Sequence, residues 1–176
     1  MKNLNVNENK FEIIKLLGKG KGGYSYLACK DSEYFVLKQI HHEPCSYYKF
    51  GDKIQAEIQD YKRLQLSEIR IPKMIDVDIK NERVLKEYIE GDTIFDMVKR
   101  GDDVSKYIEQ VKEMCSRLYP LKINIDYFPT NFIVKNDLIY YIDFECNDYM
   151  EEWNFENWGI KYWSKTKEFE EYINTH

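Results

Sequence analysis

Alanine is nearly missing from this chain, with two in 176 residues, and proline (4), histidine (3) and glycine (8) are sparse. The scarcity of alanine among so many Lys, Asn and Ile marks a compositional bias and carries no functional signal. No stretch approaches the ~20 apolar residues of a membrane-crossing helix. The opening residues Met1 to Lys10 are polar and Asn-rich, without the apolar centre of a signal peptide. Cys29, Cys45, Cys115 and Cys146 form no CxxC pair and have no histidine cluster beside them, so they read as four reduced thiols. His41 and His42 have no third ligand at a useful spacing and read as part of a solvated loop. A cytoplasmic protein without a membrane partner is expected. The net charge of −5, with both signs mixed along the chain, disfavours nonspecific attraction to nucleic acid or anionic lipid, and no nucleic-acid partner is expected.

What the chain does have is aromatic residues: 9 Phe, 15 Tyr and 3 Trp. Its apolar content, counted without tyrosine and with glycine, is about 39%, below the ~45–50% of typical soluble domains. The core must therefore lean on large rings, many with a polar end that needs a partner. At ~150 residues per domain the length fits one compact unit and excludes a long multidomain enzyme.

Half of the glycines fall in Gly18-Lys19-Gly20-Lys21-Gly22-Gly23, between a strand expected at Phe11 to Leu17 and another at Tyr24 to Lys30. Asp31-Ser32 then turns into a third strand, Glu33 to Ile40. Ile54, Ile58, Tyr61 and Leu64 recur at helical spacing, which predicts an amphipathic helix over Asp52 to Leu66. Strands are expected at Lys73 to Asp78 and Arg83 to Ile89, and Gly91 breaks the pattern. Helices follow at Thr93 to Lys99 and along Val104, Ile108, Val111, Cys115 and Leu118. Asn131 to Lys135 and Leu138 to Ile142 read as a hairpin about Asn136-Asp137, with the second arm apolar enough to be buried on both faces. The tail with Trp153, Trp158 and Trp163 reads as short helices packed by aromatics.

Glycines between two strands let backbone N–H groups approach phosphate without Cβ clashes, although GxGxxG at Gly18, Gly20 and Gly23 also suits a plain flexible hairpin. A strand follows it, which excludes a Walker A loop and a Rossmann fingerprint, both of which open a helix. Lys38, inside an apolar strand, faces either solvent or a buried anion. Glu57, beside the apolar stripe of the helix, could hold it. Asp126 stands five residues before Asn131, with Pro129 in the loop between them, and Asp143 ends the second arm of the hairpin. Oxygen ligands from Asn131 and Asp143 suit Mg²⁺, and Asp126 could take a proton from a hydroxyl. Turn capping and a strand-end position are the alternatives for these three.

The ordered set of GxGxxG, strand lysine, helix glutamate, Glu87-Tyr88-Ile89-Glu90-Gly91, DxxxxN and Asp143-Phe144 resembles the protein-kinase-like superfamily over Phe11 to Glu145. The resemblance implies an α+β bilobal fold: a five-stranded antiparallel N-lobe with one helix (about 1–88), a hinge (about 87–91) and a reduced helical C-lobe (about 92–176), together a single kinase-like domain. It implies ATP and Mg²⁺ as cofactors, with Gly18, Gly20 and Gly23 over the phosphates and Lys38 with Glu57 positioning them. Asp126 would be the catalytic aspartate, Asn131 and Asp143 the Mg²⁺ ligands, the backbone of Glu87 and Ile89 the adenine contacts, and Asp92 a ribose contact.

The sequence departs from the usual pattern at Ser25, at Lys86 in the gatekeeper position, at Asn124, at Phe128 and at Glu145. Phe128 stands where a cation commonly serves the transferred phosphate, so slow transfer is expected. Only 31 residues follow Glu145, with no activation segment or APE motif, as in the small kinases of the RIO type and of the KEOPS complex. Asp143-Phe144-Glu145 also resembles the choline-kinase and aminoglycoside-phosphotransferase branch. The expected activity is transfer of the γ-phosphoryl group of Mg-ATP to a hydroxyl, Ser or Thr on an unidentified protein. A small hydroxyl acceptor and a nucleotide-binding pseudokinase are the alternatives.

Overall fold

The computed structural model describes residues 2–20, 22–43 and 52–176; Lys21 and Cys45 lie outside them. The chain is α+β and divides into two compact units, Met1–Gln59 with Pro72–Tyr88, and Asp60–Ile71 with Ile89–His176. Among the described residues no helix is long and apolar enough to cross a membrane.

The first unit is built on six antiparallel strands: β1 (Asn3–Val6), β2 (Asn9–Lys19), β3 (Gly23–Lys30), β4 (Glu33–Ile40), β5 (Met74–Asp78) and β6 (Arg83–Glu87), in the order β1-β2-β3-β4-β6-β5. Asp31 and Ser32, both at positive φ, close a two-residue turn that pairs Lys30 with Glu33 and sets the register of β3 on β4. The sequence reading expected five strands; the sixth is β1, inside the stretch read as merely polar. Leu4 and Val6 point to one face, and Val6 is fully buried with Phe11, Ala28, Leu37 and Leu85. Each of these side chains except the Ala28 methyl contributes roughly 1.5–3 kcal/mol by leaving water. Beyond β1, the Asn7 N–H donates to Asp78 Oδ2 at 2.8 Å, and Arg83 Nη1 donates to the Asn5 carbonyl at 2.7 Å. The two edges of the sheet are thereby drawn together around that core. Helix α1 (Lys53–Ser67) lays Ile54 against Ile40 and Val84 on the other face of the sheet.

The second unit carries the sheet β7 (Asp92–Thr93), β9 (Phe132–Lys135) and β10 (Leu138–Tyr141), and the short pair β8 (Ile123–Ile125) with β11 (Cys146–Asp148). A Cβ on Gly91 would stand 2.0 Å from the Val134 carbonyl oxygen, so only glycine allows the chain to enter β7 this close to β9. Helix α2 (Ile94–Lys99) is capped by Thr93, whose hydroxyl accepts the Asp96 N–H at 3.1 Å. Helix α3 (Ser105–Leu118) buries Tyr107, Val111, Met114, Cys115 and Leu118. The arm β10 alternates, with Ile139 and Tyr141 buried and Leu138 exposed, so it is covered on one face only and not on both. The tail forms short 3-10 turns and helix α4 (Lys167–Thr175), as the aromatic spacing suggested. Cys29, Cys115 and Cys146 are free thiols.

Candidate functional site

In the first unit Gly18 and Gly20 lie where β2 ends, and Gly23 opens β3. The Gly20 N–H donates to the Gly23 carbonyl at 2.9 Å, which closes the turn. A Cβ added at Gly18 or Gly20 would meet none of the described residues within 4 Å, whereas one at Gly23 would stand 2.7 Å from the Gln39 carbonyl oxygen. Gly23 is thus required by sheet packing, and Gly18 and Gly20 leave open backbone that a bulky anion could approach.

Lys38 sits mid-strand in β4, paired with Ser25 on β3 and Val84 on β6. Its Nζ donates to Glu57 Oε2 at 2.8 Å, and the two side chains are 17% and 10% exposed. The other carboxylate oxygen, Oε1, is buried and has no hydrogen-bond partner among the described residues. A buried carboxylate with an unsatisfied oxygen is costly to keep, which fits a site where a further polar group is received. Lys86 is also buried on β6. Glu87 is fixed to Lys73, donating its N–H to the Lys73 carbonyl at 2.9 Å and accepting the Lys73 N–H on Oε1 at 3.1 Å.

His41 is not in a solvated position. Its side chain is 10% exposed and its Nε2 lies 2.9 Å from the Gly20 carbonyl oxygen, whereas His42, beside Glu82, is half exposed. The solvated-loop reading holds for His42 and fails for His41 alone, whose ring meets the glycine turn 21 residues earlier.

In the second unit Asp126 follows β8. Its Oδ1 accepts the Phe128 N–H at 3.1 Å, and its backbone carbonyl accepts from Asn131 Nδ2 at 3.3 Å. Burial raises the Asp126 carboxyl above its ordinary value; the charges of Glu145 and Asp143 push the same way, against the Phe128 amide and the Asn131 carboxamide. Asp143 Oδ1 accepts the Glu145 N–H at 3.2 Å. The Ile142 N–H donates to the Asn131 carbonyl at 2.9 Å, so the chain leading to Asp143 is tied to Asn131. With carboxylate and carboxamide oxygens as donors, Asn131 and Asp143 suit a hard cation such as Mg²⁺. Ile89 has a buried side chain. Asp92 is held by Arg100 at 2.8 Å.

Tyr141 joins the two acidic segments and was missed by sequence reasoning. Its hydroxyl accepts the Asp126 N–H at 3.2 Å and donates to the Glu145 carbonyl at 2.6 Å, from a fully buried ring. The signal was the second tyrosine of Leu138 to Ile142, a buried ring with a polar end. Below the Asp126 loop, Trp163 Nε1 donates to the Tyr127 carbonyl at 2.8 Å, and the Phe155 ring packs 5.6 Å from that of Tyr127. Glu156 accepts from the Tyr119 hydroxyl at 2.7 Å. Asn124 donates to the Met150 carbonyl at 2.9 Å, and its buried Oδ1 has no partner among the described residues. Phe128 joins an aromatic cluster with Phe95, Tyr162 and Tyr172.

No family model matches the chain. Over 84 residues, 47% of its length, it is 30% identical to a protein of Methanococcus vannielii named "Probable bifunctional tRNA threonylcarbamoyladenosine biosynthesis protein". The matched stretch is 15% of that protein. Over less than half of its residues, the chain is a distant relative of a tRNA-modification protein.

Proposed function

We propose that this chain binds Mg-ATP and transfers the γ-phosphoryl group to a hydroxyl, Ser or Thr on a protein, as a single kinase-like domain. The observation that carries the reading is the Lys38–Glu57 pair: an ammonium in an apolar strand, fixed at 2.8 Å by a carboxylate that is itself 10% exposed. A lysine held in this way is set to meet phosphate oxygens.

In this proposal the open backbone at Gly18 and Gly20 lets the turn cover the phosphates, and Lys38, oriented by Glu57, neutralises their charge. The backbone of Glu87 and Ile89 holds the adenine. Asn131 and Asp143 hold Mg²⁺, which when bound shields the charge on the phosphates. Asp126 orients the acceptor hydroxyl and takes its proton. Burial favours this last role, because a carboxylate whose proton affinity is raised is a better base near neutral pH. The distant likeness to a protein of tRNA threonylcarbamoyladenosine biosynthesis supports an acceptor among the proteins of tRNA modification.

A second reading, nucleotide binding without transfer, is favoured by Phe128. Its ring is packed among aromatics at the position where the kinase resemblance calls for a cation.

Thermal unfolding of the full chain with ATP, with and without Mg²⁺, tests the binding claim. Ligand at ~100 times its Kd adds about 2.7 kcal/mol of apparent stability. A shift that needs Mg²⁺ supports the proposal, and the absence of a shift under every condition removes it. A shift that survives chelation, with no phosphate transferred, selects the second reading.

A further inference from the structure

The glycine turn is pinned from one side. The Gly20 carbonyl lies 2.9 Å from His41 Nε2, and the Gly22 carbonyl accepts the His41 backbone N–H at 3.2 Å. His41 Nδ1 accepts the Glu43 N–H at 3.3 Å. The proton of the neutral ring therefore sits on Nε2, which makes that nitrogen the donor to Gly20. The imidazole packs 5.1 Å from the ring of Tyr24, the residue after Gly23. Glu43 brackets the turn by accepting from the Tyr24 hydroxyl at 2.6 Å and pairing with Lys19 at 3.2 Å. Its carboxylate also stands 3.6 Å from His41 Nε2.

The anchor of His41 is helix α1. The His41 carbonyl accepts from Lys53 Nζ at 2.5 Å, and Lys53, the first residue of α1, is 4% exposed. Glu57 lies four residues further on, one turn along the same face. One helix thus fixes Lys38 through Glu57 and the glycine turn through Lys53 and His41.

Resting on the nucleotide reading above, we infer that His41, anchored on α1 by Lys53, is the positioning residue that holds the glycine turn in the shape that receives a triphosphate. The physical reason lies in the carbonyls of Gly20 and Gly22. Their lone pairs repel phosphate oxygens when they are not engaged, and His41 engages both.

Calorimetric titration of the full chain with two probes, ATP and adenosine, tests this. His41→Ala weakens ATP about tenfold, the equilibrium worth of one hydrogen bond, and leaves adenosine unchanged. His41→Gln, which keeps an N–H near the place of Nε2, restores most of the ATP affinity. Lys53→Met shows the same split between the probes. The inference is overturned if His41→Ala binds ATP like the wild type, or if it loses ATP and adenosine by the same factor, the mark of a merely structural role. Should His41→Ala not fold, Lys53→Met decides by the same comparison. Wild-type chain that binds neither probe removes the nucleotide reading, and this inference with it. Wild-type chain that binds ATP while the variants do not discriminate removes this inference alone.

Discussion

Lys38 Nζ and Glu57 Oε2 are 2.8 Å apart, joining strand β4 to helix α1, and the second oxygen of Glu57 is buried with no hydrogen-bond partner among the described residues. Lys38→Met leaves both oxygens of a mostly buried carboxylate unsatisfied, at a cost of about 2 kcal/mol. Replacing both partners with apolar residues, as in Lys38→Met with Glu57→Leu, removes the stranded charge. Urea unfolding is expected to place the double variant nearer the wild type than Lys38→Met alone. A double variant that is the less stable of the two contradicts this account of the pair.

The glycines divide by what a methyl group would meet. Gly23→Ala forces a Cβ to 2.7 Å from the Gln39 carbonyl oxygen and costs about 1–3 kcal/mol through displacement of the sheet. Gly18→Ala and Gly20→Ala enter open space and change stability by less than ~0.5 kcal/mol. Under the proposed ATP-binding reading these two are nevertheless expected to weaken ATP binding, because that reading lays the phosphates against this backbone. Stability and ATP affinity measured on the three variants check the division, and equal destabilisation of all three would refute it.

Trp163→Phe removes the indole N–H from the buried Tyr127 carbonyl and leaves that oxygen without its 2.8 Å partner. A loss of about 1–3 kcal/mol is expected in chemical denaturation, with accelerated amide exchange in the Asp126–Asn131 loop. Unchanged exchange there would show that the tail does not support the loop.

Asp126 carries a pH signature. Burial raises its carboxyl in the folded chain, so the folded state binds this proton more tightly than the unfolded state does. Below the unfolded value both states are protonated and the group costs nothing; above the raised folded value the ionised form is penalised in full. Asp126→Asn keeps an acceptor for the Phe128 N–H and removes that penalty. The variant is therefore expected to melt above the wild type at pH 7, with the difference vanishing at acid pH, in scans run across pH without Mg²⁺. A variant that melts below the wild type at pH 7 contradicts the assignment.

Much of this was legible along the chain. Strand Glu33–Ile40 has the bounds read from its β-branched and aromatic run, and the turns at Asp31-Ser32 and Asn136-Asp137 take the positive φ that short polar residues tolerate. The proximity of Lys38 and Glu57 was also foreseen, because one lay in an apolar strand and the other beside an apolar helical stripe. What stayed hidden depends on partners far away in sequence. Strand β1 offers only Leu4 and Val6, and it is secured by Asn7 reaching Asp78, 71 residues on. Tyr141 acts through a hydroxyl whose two partners sit in different loops. His41 meets the Gly20 carbonyl 21 residues earlier, a partner that its own neighbourhood in the sequence does not reveal.

The central claim is phosphoryl transfer, and its most direct measurement follows label from γ-labelled ATP into a cell extract, with products sorted into proteins and small molecules. The account predicts Mg²⁺-dependent labelling of protein by the wild type, lost in Asp126→Ala while that variant still binds ATP. Transfer that survives in Asp126→Ala, or no transfer by a wild-type chain that binds Mg-ATP, would contradict it.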